Sequence, residues 1–467
     1  MSAPPDAAAL HGRAVSGFCL YDVANSAFVT VVVTAVGGPF VVAIAAAAAH
    51  DGRLSLLGLR TAPGAVYGYA VSLSVLLQVL ALPVLGTLAD RPGAKRALLA
   101  RGTAVGVLAT LALACVPIGH PLAAVVAFTV ANVAFGTGVL AYNAFLRDVA
   151  GPLEADRVSA RAFAAGYAGG GLVLAVDLAV LQAHAALGLS KGDAVRIAIA
   201  TAGLWWGAVG ALAVRRLGAV EQLPYSDPTG PVDPPQPGAP AVRRLLASLR
   251  ELRALPGTAR FLVAFLLFND AIQAVVSLSA VVLTQELFVA KGRPAADATV
   301  FLLQLVLLIQ VVAVAGATLS ARLARGIGAQ RTVLLELVVW TGVVLYAVSL
   351  LHTTTQAYGL GVVIALVLGG TQSLARSLFS RMVPAARQAS FFGFYELAER
   401  GTAWIGTLVF SVVLDATGSY RGALLSLLVL FVAGGCLLAA TDTEAAQDAA
   451  RAVDAAGRQS GPAPSEA

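Results

Sequence analysis

Apolar stretches of about 20 residues or more recur twelve times along this chain, and no other feature restricts its fold as tightly. They lie near 14–49, 64–89, 96–117, 121–146, 158–185, 195–216, 259–288, 297–324, 330–351, 357–382, 388–414 and 420–440. Each is long enough to cross roughly 30 Å of hydrocarbon as a helix. A transmembrane barrel needs short segments of alternating polarity, which these are not. With 58% hydrophobic residues, 12% charged and a mean hydropathy of +0.83, the chain is excluded from the soluble class. The reading is an all-α membrane protein of 12 transmembrane helices, six before and six after a long polar stretch. Residues 1–216 form the first half, 217–258 a linker, 259–440 the second half and 441–467 a tail.

Charge placement sets the orientation. Of the 31 Lys and Arg, 23 fall on the side of the N-terminus, seven on the other side, and Arg400 lies within a helix. Basic residues mark cytoplasmic loops, so both termini are expected in the cytoplasm. The same distribution accounts for the net charge of +6 without a nucleic-acid partner. Met1 to Arg13 lack a signal-peptide pattern, so the first helix is expected to be retained. Cys19, Cys115 and Cys436 fall in helices and the five histidines are scattered. Neither set has metal-ligand spacing, so no metal, catalytic residue or cofactor is expected. No Gly-x-x-x-x-Gly-Lys-Ser/Thr loop is present, which excludes ATP as the direct energy source.

Polar residues inside the spans select candidate sites. Tyr21-Asp22-Val23-Ala24-Asn25-Ser26-Ala27-Phe28 puts Asp22 roughly 10 Å into the bilayer, with Asn25 and Ser26 on its helical face. In the seventh span Asn269, Asp270, Gln273 and Ser277 share a face, with Asp270 about 16 Å from the helix start. In the eleventh, Glu396, Glu399 and Arg400 are spaced so that Glu396 can pair with Arg400. Acids at such depth mark cargo or ion pathways, or are structural hydrogen-bonded groups. Asp22, Asn25, Asn269, Asp270, Gln273, Glu396, Glu399 and Arg400 are therefore the candidate residues for substrate or coupling ion. Gly166-x-x-x-Gly170 is assigned to close helix packing.

Between the second and third spans stands Gly86-Thr87-Leu88-Ala89-Asp90-Arg91-Pro92-Gly93-Ala94-Lys95-Arg96. It resembles the G-x-x-x-D-R-x-G-x-[KR]-[KR] signature of the major facilitator superfamily, which implies a cytoplasmic gate formed by Gly86, Asp90, Arg91, Gly93, Lys95 and Arg96. A shift of 235 residues aligns Gly93 with Gly328 and Arg96 with Arg331, but Arg325 replaces the acid. The linker carries seven prolines between Leu217 and Ala241, then an amphipathic stretch, Val242 to Ala254, expected to lie on the inner leaflet.

The opening stretch joins Tyr142-Asn143-Ala144-Phe145-Leu146, Ala155-Asp156-Arg157-Val158-Ser159-Ala160-Arg161, Phe268-Asn269-Asp270, Gly369-Gly370-Thr371-Gln372-Ser373 and Phe391-Phe392-Gly393-Phe394-Tyr395-Glu396. Together they resemble the superfamily branch of the autophagy-related vacuolar amino-acid effluxer and its bacterial relatives. Val23 and Arg147 depart from its pattern, where Trp and Pro are expected. The resemblance implies a monomeric secondary transporter of a small-molecule substrate, amino acids, moved outward by alternating access in a bacterial plasma membrane. Protons or sodium are the implied coupling ions and the lipid bilayer the standing partner. Open alternatives are a sugar, drug or lysolipid carrier, or a scaffold or sensor without transport. An intramembrane enzyme would need a nucleophile with its base, or a metal set, and neither is found.

Overall fold

A computed structural model of the chain describes residues 5–56, 58–89, 94–150, 155–222, 255–384, 395 and 403–459. The first span starts earlier than expected. Helix α1 (Pro5–Ala27) passes unbroken into a π-helical segment, Phe28–Val36, and then into α2 (Gly37–Ala47). Pro5 in the first turn forfeits no intrahelical bond, and the alanines after it favour helix. The wide turns have local causes. Pro39 cannot donate to a carbonyl behind it, and Val29 to Thr34 are all β-branched. The Gly37 amide bonds the Val32 carbonyl, five residues back, and the Tyr67 hydroxyl donates to the Val33 carbonyl at 2.8 Å. A side chain at Gly37 would collide with that Val32 carbonyl, so glycine is required there.

After α2 the chain forms a hairpin, β1 (Leu54–Leu56) paired antiparallel with β2 (Leu59–Thr61), with Leu54 opposite Thr61 and Gly58 turning at φ 84°. The fold is thus mostly helical, not strictly all-α, because these loop residues alternate in polarity and close on a glycine. The helices that follow are α3 (Ala65–Ala89), α4 (Ala94–Cys115), α5 (Pro121–Val149), α6 (Ala155–Gln182) and α7 (Lys191–Leu217). Beyond residue 255 come α8 (Pro256–Leu287), α9 (Ala298–Ile327), α10 (Ala329–Ser349), α11 (Thr354–Arg381) and α12 (Ala403–Thr417). The last apolar stretch breaks at Leu427 into α13 (Tyr420–Ser426) and α14 (Leu428–Ala439). The tail then forms α15 (Thr443–Gln459), which the sequence reading does not anticipate; it buries Ala446 and Ala450, with Ala446 at the start of α8 beside Gly257.

Among the described residues ten helices are long and apolar enough to cross a membrane. Two shorter apolar helices, Ala65–Ala81 and Trp404–Thr417, fall where the second and eleventh spans are expected. The long helices expose apolar side chains, Val311 of α9 being 68% exposed and Val429 of α14 69%, which suits a lipid environment and not water. The protein is an integral multi-pass membrane protein. The proline linker and the amphipathic stretch 242–254 lie outside the described residues.

Within residues 5–222, α1 packs on α6 and α7, α4 on α5 and α7, and α3 on α5. Within 255–459, α9 packs on α11 and α8 on α14. The two stretches meet through α3 against α12 and α6 against α9, with the first span touching α8 and α9. One end of the bundle carries the hairpin and the loops 183–190, 288–297 and 350–353; the other carries the chain's start and Gly218–Gln222. At that second end the shifted copy of the basic motif keeps its turn. Gly328 lies at φ 91°, ψ 149°, a conformation only glycine adopts freely. Gln330, where the first copy has Lys95, donates to the carbonyls of Leu438 at 2.9 Å and Thr441 at 2.8 Å. Gly328→Ala is expected to destabilise the protein by about 1–3 kcal/mol. Thermal unfolding in detergent checks this; an unchanged midpoint contradicts it.

Candidate functional site

A cavity of about 350 Å³ lies where the two stretches meet. The π-helical segment brings Thr30 and Thr34 to it, α6 brings Tyr167, α8 brings Gln273 and Ser279, α9 brings Gln310 and α11 brings Gln372. The remainder of its described lining is apolar, and none of it is charged. Of the candidate residues for substrate or ion, Gln273 lines this cavity. Asp22, Asn25, Asn269 and Asp270 are not among its described lining. Glu396, Glu399 and Arg400 lie outside the described residues.

Asp22 sits between α5 and α6. Tyr142 of α5 lies beside its carboxylate, and Tyr142 is itself stacked on Phe18 with ring centroids 4.2 Å apart. Tyr21, the next residue back, bonds Thr103 at 3.1 Å. The glycines of α6 allow this approach: an added Cβ at Gly166 would stand 3.4 Å from the Asp22 Cβ, and one at Gly169 3.1 Å from the Val23 Cα. The expected packing role of the Gly166–Gly170 stretch is thus met on α1 itself. The indole of Trp205 donates to the Val23 carbonyl at 3.0 Å and fixes the turn that carries Asp22.

Asp270 is tied differently. It is 1% exposed, and its Oδ2 accepts the Gly406 amide at 2.7 Å, linking α8 to α12. Its Oδ1 has no hydrogen-bond partner among the described residues. Asn269 and Asn25 are buried beside their acids. The structure therefore places the two acids in separate helix contacts and does not bring them together.

At the end opposite the hairpin, Asp90, Arg91 and Gly93 lie outside the described residues, and Gly86 is in α3. The Lys95 ammonium pairs with Asp148 at 2.9 Å and Arg96 with Glu221 at 3.1 Å, tying the start of α4 to the ends of α5 and α7. Tyr142 stands in the Tyr142–Leu146 stretch that the sequence singles out, whereas Asp148 lies two residues beyond it and is not marked by that reading.

Between described residues, the polar contacts joining 5–222 to 255–459 fall toward the hairpin end. Arg53 pairs with the Asp415 carboxylate at 3.2 Å and donates to its main-chain carbonyl at 3.0 Å. The Ala62 amide donates to Asp415 Oδ1 at 2.8 Å, Lys191 pairs with Asp297, and the Ser72 and Thr407 hydroxyls share a bond of 2.7 Å. Sequence reasoning missed this cluster because none of its members is unusual by position.

Comparison with known proteins follows the same lines. A family model described as "Vacuole effluxer Atg22 like" matches residues 11–451. The "Uncharacterized MFS-type transporter YxiO" of Bacillus subtilis (strain 168) is 28% identical over 93% of this chain and 96% of its own length. "Autophagy-related protein 22-2" of Emericella nidulans is 25% identical over 59% of this chain and 49% of its own length. Among solved structures, a bacterial homologue of the iron transporter ferroportin, inward-facing, has TM-score 0.60 at 14% identity, covering 92% of this chain and 98% of that one. The inward-open xylose transporter XylE from E. coli has TM-score 0.59 at 11% identity over 95% and 99%.

Proposed function

Since the chain belongs to the Atg22-like vacuole effluxer family and is a membrane transporter of the major facilitator type, we propose that it moves a small solute by alternating access. In this reading the chain has twelve spans in two six-helix halves, 1–216 and 259–440, joined by the proline-rich linker. The reciprocal contacts, α3 on α12 and α6 on α9, support it, because exchanging the halves turns one pair into the other. The excess of Lys and Arg on one side supports cytoplasmic termini, and the membrane in this reading is a bacterial plasma membrane. The observation that carries the reading is the cavity at the junction of the halves, together with contacts between the halves that gather toward the hairpin end. The hairpin end is then the outer gate, and the stretch around Asp90 to Arg96 the inner one. The halves rock as a monomer, with protons or sodium as coupling ion.

Amino acids are the cargo implied by resemblance to the effluxer branch, and that version needs a charged partner for the ammonium. Reconstitution in proteoliposomes with imposed proton and sodium gradients, over an amino-acid panel and uncharged analogues, tests both levels. Accumulation of any of them driven by one gradient is the expected result. Absence of uptake and of exchange for the whole panel leaves a scaffold or sensor.

A further inference from the structure

We propose that the cavity takes an uncharged molecule with an aliphatic body and a hydrogen-bonding end, held by the amides of Gln273, Gln310 and Gln372. The proposal deepens the alternating-access reading and rests on it in one respect, that this cavity is the cargo site. Three helices each contribute one glutamine to the same space, and Thr34 and Tyr167 from the other half complete its polar part. The Gln310 Nε2 is buried with no hydrogen-bond partner among the described residues. Gln304, less than two turns earlier on α9, by contrast has a partner within the protein, its Oε1 accepting from the Tyr358 hydroxyl at 2.6 Å. A buried donor left open is costly, and a cargo carbonyl or hydroxyl oxygen is what would complete it.

Charge is what the site does not offer. Among the described residues its lining holds no carboxylate, guanidinium, ammonium or imidazole. The nearby acids stand elsewhere, Asp270 bonded to the Gly406 amide and Asp22 packed beside Tyr142 and the glycines of α6. An ammonium or carboxylate entering here would shed its hydration and meet no counter-charge in the described lining, which is a severe penalty in surroundings of Val, Leu and Ile. Amides supply donors and acceptors together, so they serve a neutral carbonyl, amide or hydroxyl group equally well. A volume near 350 Å³ is within the ordinary range for a small organic ligand.

The test uses four probes that share one isobutyl group and differ in charge. They are N-acetyl-leucinamide (neutral), leucine (zwitterion), leucinamide at pH 6 (cation) and N-acetyl-leucine (anion). Binding to the purified full-length protein is measured by calorimetry, without a gradient. The neutral probe is expected to bind at least ~30-fold tighter than the other three. Gln310→Leu should weaken it roughly 10-fold and leave the charged probes unchanged. Gln310→Glu should transfer the preference to leucinamide, an outcome a misfolded variant could not give. Equal or tighter binding of a charged probe, failure of the neutral probe to bind, or indifference to Gln310→Leu overturns the proposal. A chain that binds the neutral probe but never moves it refutes transport and leaves this inference intact; movement of leucine without that preference does the reverse.

Discussion

Asp415→Ala is expected to open the hairpin end. The carboxylate holds two elements of the other half at once, the Arg53 guanidinium and the Ala62 amide at the end of the hairpin. Arg53 keeps 44% of its side chain exposed, so its ion pair alone contributes little, and the larger share comes from the bond to the Ala62 amide. A loss on the order of 1–2 kcal/mol in the closed state shifts the population roughly 5- to 30-fold. Asp415→Asn, which keeps an acceptor for Ala62, should fall between wild type and Ala. The measurement is labelling of Ser279→Cys, a cavity residue, by a membrane-impermeant maleimide added from the hairpin side. The background has Cys19, Cys115 and Cys436 replaced, since all three are free thiols. A labelling rate unchanged in Asp415→Ala would remove the residue from the closure. Disabling the Lys191–Asp297 pair as well should add its own increment, because that contact lies on different loops.

Which parts of this were legible beforehand follows from the range of each interaction. Apolar length is a local property, and the spans read from it agree with the described helices to within several residues at most ends. The glycine stretch of α6 was legible for the same reason: small residues at helical spacing need only a neighbour, and α1 proved to be it. Arg53 and Asp415 are 362 residues apart, each an ordinary charge near a loop, so only the tertiary fold makes them a pair. The hairpin had its signals, alternation in Leu54 to Thr61 and a glycine at 58, but it is short and stands between two long apolar runs that dominate any periodicity. The π-helical segment likewise needed Pro39 and the β-branched run to be read together. Depth along a helix correctly buried Asp270, yet depth does not give azimuth. The neighbour that claims its Oδ2 is a backbone amide of α12, which carries no side-chain signal at all.

That backbone contact sharpens what Asp270 is for. If the cargo is uncharged, the acids are free of cargo binding, and the remaining work for them is to carry the coupling proton. Asp270 suits it: Oδ2 is anchored on the Gly406 amide while Oδ1 is buried with no described partner, so a proton can settle on Oδ1 without breaking the anchor. Asp270→Asn is nearly isosteric and keeps an acceptor for Gly406, so the fold should survive. It is expected to lose proton-driven accumulation of N-acetyl-leucinamide by about 10-fold or more while exchange of that probe stays within about 2-fold, because exchange needs rocking but no net proton movement. Asp22→Asn, at the position packed beside Tyr142, should behave alike if each half contributes one proton site. Were the acids instead to hold a cargo ammonium, accumulation and exchange would vanish together, and substrates lacking the amine would fail in wild type as well. Asp270→Leu provides the contrast, since it leaves the Gly406 amide without an acceptor at a cost of about 1–3 kcal/mol and should lower stability whatever the mechanism. Normal accumulation by both Asn variants and by the double variant from pH 5 to 8 would make the two acids purely structural.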